Sequence, residues 1–429
     1  MSRKRAPEVP YVSGARGRLS RRVVVLAALA LLGLAGIAAV LTVSALRAPG
    51  SDFDGFVYVE SNRAGAGRNS VLAYRFADGR LRLLGEYPTG GRGSIDPGQT
   101  GALDAEGYIA ADLERRLLFA ANQGSDTVAA FRIGEDGSLT TVPGSPFRTG
   151  GKAPASVAVA GSFLVVVDKA HDAARDLSSA TPRYSTFRIE DDGGLASTGS
   201  AFAAPLESSP TQALAVTPRL VAGTEESGPF RTLLVGADGS LTEGTRSPFA
   251  PEPSIFPPGY EGARWAIGLV AHPSERLLYA NIPAVEKLVV YAYDEGGRLT
   301  FVRAVDNRGS KLPCWTAVTP DGRRLYTANA GNGTISAFDL GRDPESPRRL
   351  QTLALEQGGN PWGLALDPSA RTLFVVDPRA IPQVPRGRGN RLHALAVGSD
   401  GRLTELSGSP VELPVGSDAS PLGIAVVAR

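Results

Sequence analysis

The chain has 429 residues, with 51 glycines, 32 prolines and 7% aromatic residues. Glycine and proline at this level, without low-complexity tracts, indicate many turns and exclude a disordered polymer. Lys and Arg number 45 against 43 Asp and Glu, so no charge excess argues for a nucleic-acid or acidic partner. The one cysteine, Cys314, excludes an intramolecular disulfide and a cysteine-based metal site.

Residues 1–22 hold seven Lys or Arg and a single acid, Glu8. They read as a basic cytoplasmic segment. Residues 23–46, VVVLAALALLGLAGIAAVLTVSAL, run without a charge. A helix of that length rises about 36 Å, enough to cross a hydrocarbon layer of about 30 Å. The flanking charges place the N-terminus in the cytoplasm and the remainder outside. The expectation is a membrane anchor; a cleaved signal peptide is the alternative, because Val43-Ser44-Ala45 suits a small-residue cleavage site. Residues 47–54 are then a linker, and 55–429 form the extracytoplasmic domain.

That domain is built of copies of one unit. AANQGSDTVAAF (120–131) matches TANAGNGTISAF (327–338), and SLTTVPGSPF (138–147) matches SLTEGTRSPF (240–249) and RLTELSGSPV (402–411). Each unit opens on a strand of small apolar residues: one around 105–112, then PASVAVA (154–160), TQALAVT (211–217), AIGLVAH (266–272), PCWTAVT (313–319), PWGLALD (361–367) and PLGIAVV (421–427). A second strand occurs seven times, as FVYVES (56–61), RLLFAAN (116–122), SFLVVVD (162–168), RLVAGTE (219–225), RLLYAN (276–281), RLYTAN (324–329) and TLFVVD (372–377). A third follows, as in TVAAFRI (127–133), and a hairpin signal such as Asp136-Gly137 or Asp238-Gly239 comes next. Short strands rich in Val, Tyr, Phe and Thr at this spacing predict an all-β, seven-bladed β-propeller. FVYVES lacks an inner strand before it, and PLGIAVV lacks the rest of its unit. The C-terminal strand is therefore expected to complete the first blade and close the ring, which protects the sheet edges. Long connections fall at 89–107, 251–262 and 378–391.

With the blades assigned, the chain resembles the seven-bladed lactonase-like propellers, which include 6-phosphogluconolactonases and carboxymuconate-lactonizing enzymes. The residues that carry the resemblance are LYTANAGNGTISAF (325–338), DGSLTTVPGSPF (136–147) and the PWGLALDP stretch (361–368). The resemblance covers essentially residues 55–429. It implies a lactone pocket built partly by 262–282, GARWAIGLVAHPSERLLYANI, in which Arg264 and His272-Pro273 match the family residues. Trp265 stands where the pocket histidine is expected, and Ile282 where the glutamate is expected. The scaffold is similar to the lactonases while the catalytic set is depleted.

Several residues are candidates for chemistry. Arg264 has the guanidinium geometry to hold a carboxylate or polarise a lactone carbonyl. His171, in VVVDKAHD beside Asp168, Lys169 and Asp172, could serve as a base, as could Glu225, Glu226 or Glu60 if burial raised a carboxylate pKa. Trp265, Trp315 and Trp362 start three consecutive inner strands and could wall a sugar ring or pack between blades. The polar ends of the second strands, Asn62, Asn122, Asp168, Glu225, Asn281, Asn329 and Asp377, could ring the tunnel mouth or satisfy backbone groups at the strand–loop turn. No G-x-S-x-G elbow, P-loop or metal-ligand spacing occurs, and no cofactor is expected. Two functions stay open. One is an exported hydrolase of a sugar or aldonic lactone, held at the membrane by its N-terminal helix. The other is a non-catalytic propeller that binds a protein or glycan partner in the cell envelope.

Overall fold

Alternating strands and tight turns produce seven antiparallel sheets in the computed structural model, which describes residues 53–95, 107–172, 174–379, 389–416 and 418–429. The basic segment, the expected membrane helix and most of the linker lie outside the described residues. Among those described, no helix is long and apolar enough to cross a membrane.

Blades are numbered 1–7 by their second strands, and each runs outward from the axis. Blade 1 consists of Leu422–Ala428, Gly55–Glu60, Ser70–Ala77 and Arg80–Pro88. Tyr58 pairs with Ala73 on one side and Ala425 on the other, so the C-terminal strand closes the ring. Blade 2 follows with Ile109–Asp112, Leu117–Asn122, Thr127–Ile133 and Leu139–Thr141. Its inner strand is shorter than the predicted 105–112, of which residues 105 and 106 lie outside the described residues. Blade 3 is Pro154–Ala160, Phe163–Asp168, Arg183–Ile189 and Leu195–Ala203. Blade 4 is Leu214–Thr217, Leu220–Thr224, Phe230–Val235 and Leu241–Glu243. Blade 5 is Ile267–Ala271, Leu277–Ile282, Lys287–Tyr293 and Leu299–Asp306. Blade 6 is Pro313–Val318, Arg324–Asn329, Thr334–Asp339 and Arg348–Ala354. Blade 7 is Leu364–Leu366, Thr372–Asp377, Arg391–Val397 and Leu403–Glu405, with Val411–Glu412 added beside its third strand.

Second strands carry side chains into the space between blades from both faces, which explains why they read as continuous apolar runs. Gly55–Glu60, Phe163–Asp168 and Thr372–Asp377 are buried along their whole length. Outer strands alternate, as Leu195–Ala203 does, because one face meets water. Phe56 and Tyr58 of blade 1 pack on Leu118 and Phe131 of blade 2, while Val57 and Tyr74 meet Phe374 and Leu392 of blade 7. Burying such side chains stabilises each by roughly 1.5–3 kcal/mol over exposure.

The glycine hairpins also link neighbouring blades. The carbonyl of Gly137 accepts from Tyr58, that of Gly239 from Thr186, that of Gly297 from Thr232 and that of Gly401 from Tyr326. In each pair the donor belongs to the preceding blade. These hairpins lie at the face opposite the mouth, where second strands end and inner strands begin.

Candidate functional site: the mouth of the propeller

The polar residues that end the second strands are all but fully buried, with exposures of 0 or 1%. They do not ring an open mouth; their side chains are engaged by neighbouring loops and strands. Asn62 exchanges hydrogen bonds with the Ser94 backbone at 2.8 and 2.9 Å. Asn122 accepts from Thr89 and Asn69 and donates to Thr127. Asn281 donates to the Cys314 carbonyl at 2.5 Å, and Asn329 donates to Thr334 and Ser336. Asp377 accepts from the Gly359 and Asn360 amides. The positions recur because every blade needs its incoming loop tied down.

Glu225 has a similar fate. Its carboxylate takes a two-point contact from Arg231, and Arg231 also reaches Glu243. Glu225 and Arg231 are 1% and 3% exposed. The Glu225 carboxylate is thus engaged by a buried guanidinium and does not line the basin described below.

Two other carboxylates are strongly perturbed. Burial pushes Glu60 well above the usual carboxylate range, against a hydrogen bond from Asn69. Its Oε2 has no partner. Burial also raises Asp168 to about 6, against hydrogen bonds from Thr149 and Arg183. Both are sealed from solvent, and neither lines the charged basin described below.

Arg264 is exposed just past the 251–262 connection, before the inner strand Ile267–Ala271. Its Nη2 donates to the Tyr260 carbonyl at 2.7 Å, and its guanidinium stacks 5.0 Å from the Phe256 ring. It lines a groove made of its own loop, and this turns its donors away from the other candidates.

The tryptophans do converge. Trp315 and Trp362 contact each other with ring centroids 3.6 Å apart, and Trp265 packs against the same apolar cluster. The first two line an axial cavity of about 220 Å³ together with Leu214, Leu269, Leu364 and Ile424 from the inner strands. Among the described residues, none lining this cavity is ionisable.

Charge gathers instead in a basin of about 500 Å³ at the mouth ends of blades 3 and 4. Lys169 follows the second strand of blade 3 and Glu226 follows that of blade 4. The Lys169 side chain is fully buried, and its Nζ lies 2.5 Å from Glu226 Oε1. His171 lies exposed on the rim, its backbone carbonyl held by Gln123 Nε2 at 3.1 Å. Arg175 binds Asp172, Asp126 and the Gln123 carbonyl, which braces the 169–178 segment. Burial would raise Asp126, but the Ala153 amide, Lys152 and Arg175 outweigh it and hold its carboxyl below the usual range. Leu177 and the 62%-exposed Leu206 add apolar surface to this basin. Thus the structure brings His171 together with Lys169 and Glu226, and neither Arg264 nor Glu225 lines that basin.

One cluster escaped sequence reasoning. His393 sits on the third strand of blade 7 and contacts both Asp377 and Glu405. Asp377 is one of the recurring second-strand ends and Glu405 belongs to the repeated 402–411 block, but neither repeat reports that a histidine joins them.

The described arrangement matches solved seven-bladed structures along nearly their whole length. A periplasmic gluconolactonase of Pseudomonas aeruginosa aligns with a TM-score of 0.64 at 15% identity, covering 87% of this chain and 99% of that one. A provisionally named 6-phosphogluconolactonase of Bacteroides fragilis aligns with a TM-score of 0.63 at 15% identity, covering 88% and 99%. A Lactobacillus plantarum protein gives 0.61 at 16%, covering 87% and 99%. The fold is that of the lactonase-like propellers. No protein-family model matches the chain, and no curated protein does. Among the described residues, no group of three or more His, Cys, Asp or Glu has the arrangement of a metal site.

Proposed function

We propose that the protein is an exported lactonase-like propeller that binds a sugar or aldonic lactone in the basin of blades 3 and 4 and opens its ring. The observation that carries this reading is the Lys169–Glu226 pair, with Lys169 buried and Glu226 partly exposed, at the floor of a basin with His171 on its rim. Lactone hydrolysis needs a positive group for the carbonyl oxygen and a base for water. Lys169 supplies the first, and Glu226 holds its ammonium in place. His171 supplies the second. Water attacks the carbonyl carbon as His171 takes its proton; the ring C–O bond then breaks, and the same proton passes to the leaving alkoxide. The product is a hydroxy acid, whose ionisation releases a proton to solvent. The similarity to a periplasmic gluconolactonase supports both the substrate class and export, as does the basic and apolar N-terminal sequence.

Purified full chain with glucono-δ-lactone or its 6-phosphate is expected to give a saturable rate above spontaneous hydrolysis. A folded sample without such a rate would sink the hydrolase. The second reading, a non-catalytic propeller binding a protein or glycan, would then take its place. It is favoured by one specific feature, the 62%-exposed Leu206 at the basin, since an isolated apolar platform beside polar groups suits a sugar face or a docking side chain.

A further inference from the structure

We infer that Asp176 and Glu207 make the basin of blades 3 and 4 a charge filter, which admits uncharged or amino-bearing lactones and turns away phosphorylated and carboxylated ones. This deepens the proposed function and rests on that basin being the ligand site. The charges on its wall carry the inference. The described lining holds two cations, Lys169 and Arg175, and four carboxylates, Asp172, Asp176, Glu207 and Glu226. Glu226 takes the Lys169 ammonium at 2.5 Å. Asp172 takes Arg175 Nε at 2.7 Å, while Arg175 Nη1 and Nη2 donate to Asp126 and the Gln123 carbonyl. Lys152 binds Asp126 and does not line the basin. Asp176 and Glu207 are exposed, and among the described residues no cation pairs with either.

Two negative charges are therefore left uncompensated on the wall. The Ser178 hydroxyl and amide hold the Asp176 carboxyl below the usual range, so it is ionised at neutral pH. A sphere of about 500 Å³ is about 10 Å across, close to one Debye length at 0.1 M ionic strength. A phosphate on a lactone inside the basin thus sits within the range of both carboxylates and is repelled. The two lining cations already hold carboxylates, so neither is free to fork onto a phosphate. Sugar hydroxyls meet the same wall differently. They donate to carboxylates in charge-assisted hydrogen bonds, the stronger kind, and an ammonium substituent is attracted outright. Leu177 and the exposed Leu206 offer apolar surface to the ring.

The test is kcat/KM of the full chain for glucono-δ-lactone, its 6-phosphate and 2-amino-2-deoxyglucono-δ-lactone, at low and at high salt. At low salt the 6-phosphate is expected to be about 10-fold poorer than the neutral lactone, and the amino lactone better by a smaller factor. Both differences should shrink at high salt, which a purely steric preference would not do. The double variant Asp176→Asn/Glu207→Gln removes both charges and keeps an acceptor oxygen at each position, including one for Ser178. It is expected to bring the 6-phosphate close to the neutral lactone and to flatten the salt dependence. A wild-type preference for the 6-phosphate, or an unchanged ratio in the double variant, overturns the filter. If no lactone is turned over, glucose and glucose 6-phosphate are titrated instead and followed through the His171 imidazole resonances. Weaker binding of the phosphate, relieved in the double variant, upholds the filter while the hydrolase reading falls. Equal binding of the two sugars, or binding of neither, overturns the filter as well.

Discussion

His393 lies between two carboxylates, its Nε2 3.3 Å from Asp377 Oδ2 and its Nδ1 2.6 Å from Glu405 Oε1, with none of its side chain exposed. Asp377 also receives the amides of Gly359 and Asn360, and Glu405 receives that of Glu356 at 2.7 Å. The imidazole thus ties blade 7 to the loop that leads to Trp362. Burial opposes a charged imidazole here, but the hydrogen bonds to Asp377 and Glu405 outweigh it and raise its pKa above 6.5.

A group raised on folding contributes stability in full below its unfolded pKa, and loses it as pH rises through the folded value. The wild-type thermal midpoint is therefore expected to fall as pH rises above about 6.5, the ordinary value for histidine. His393→Gln should make that fall shallower, leaving the part that Glu60 and Asp168 contribute. Scanning calorimetry between pH 6 and 9 measures both slopes, and an equal fall in the variant contradicts the assignment. The acid side is set by Glu405. Burial would raise it, but His393 holds it below 4.5, so its contribution is present above 4.5 and lost as pH drops through the lower folded value.

Glu60 has the opposite relation to its surroundings, being sealed in blade 1 with one oxygen unpartnered. Its raised pKa means that folding favours the protonated acid, and stability is lost as pH rises through that value. Glu60→Gln is isosteric and cannot ionise. Urea denaturation should show the variant gaining on wild type as pH increases from 5 to 9. A constant difference across that range would show that Glu60 does not titrate there.

Replacing Glu225 tests whether it is structural or chemical. Glu225→Ala leaves Arg231 buried with one partner fewer, a change that costs about 3–5 kcal/mol for a buried pair. Denaturant unfolding should register that loss. The double variant Glu225→Ala/Arg231→Met should recover part of it, because the stranded charge is gone. Full stability in the single variant would show that the pair is not built as described.

The ring was legible in the sequence for a physical reason. Each second strand is buried on both faces, so FVYVES, SFLVVVD and TLFVVD stand out as continuous apolar runs, and the unit missing its inner strand at one end was completed at the other by PLGIAVV. Inner strands were located less well. PWGLALD is assigned as strand only at Leu364–Leu366, although Trp362 and Gly363 still exchange backbone hydrogen bonds with Val376. The polar strand ends could be read from sequence as a recurring position, though not as ligand groups or turn ties; burial decided for the ties. Lys169 and Glu226 are 57 residues apart and meet only because blades 3 and 4 are adjacent. No spacing rule reports such a pair. Arg264 shared a motif with related propellers, but its own loop folds the guanidinium onto Tyr260 and Phe256.

The most direct test of the basin is lactone hydrolysis by paired variants under pH-stat control, with saturating glucono-δ-lactone and the spontaneous rate subtracted. His171→Gln removes the base and should lower turnover about 10²-fold or more. Lys169→Met removes the carbonyl-polarising charge and should lower it by a similar factor. Arg264→Ala should match wild type. Turnover that survives both basin substitutions, or that disappears with Arg264→Ala alone, would contradict the account.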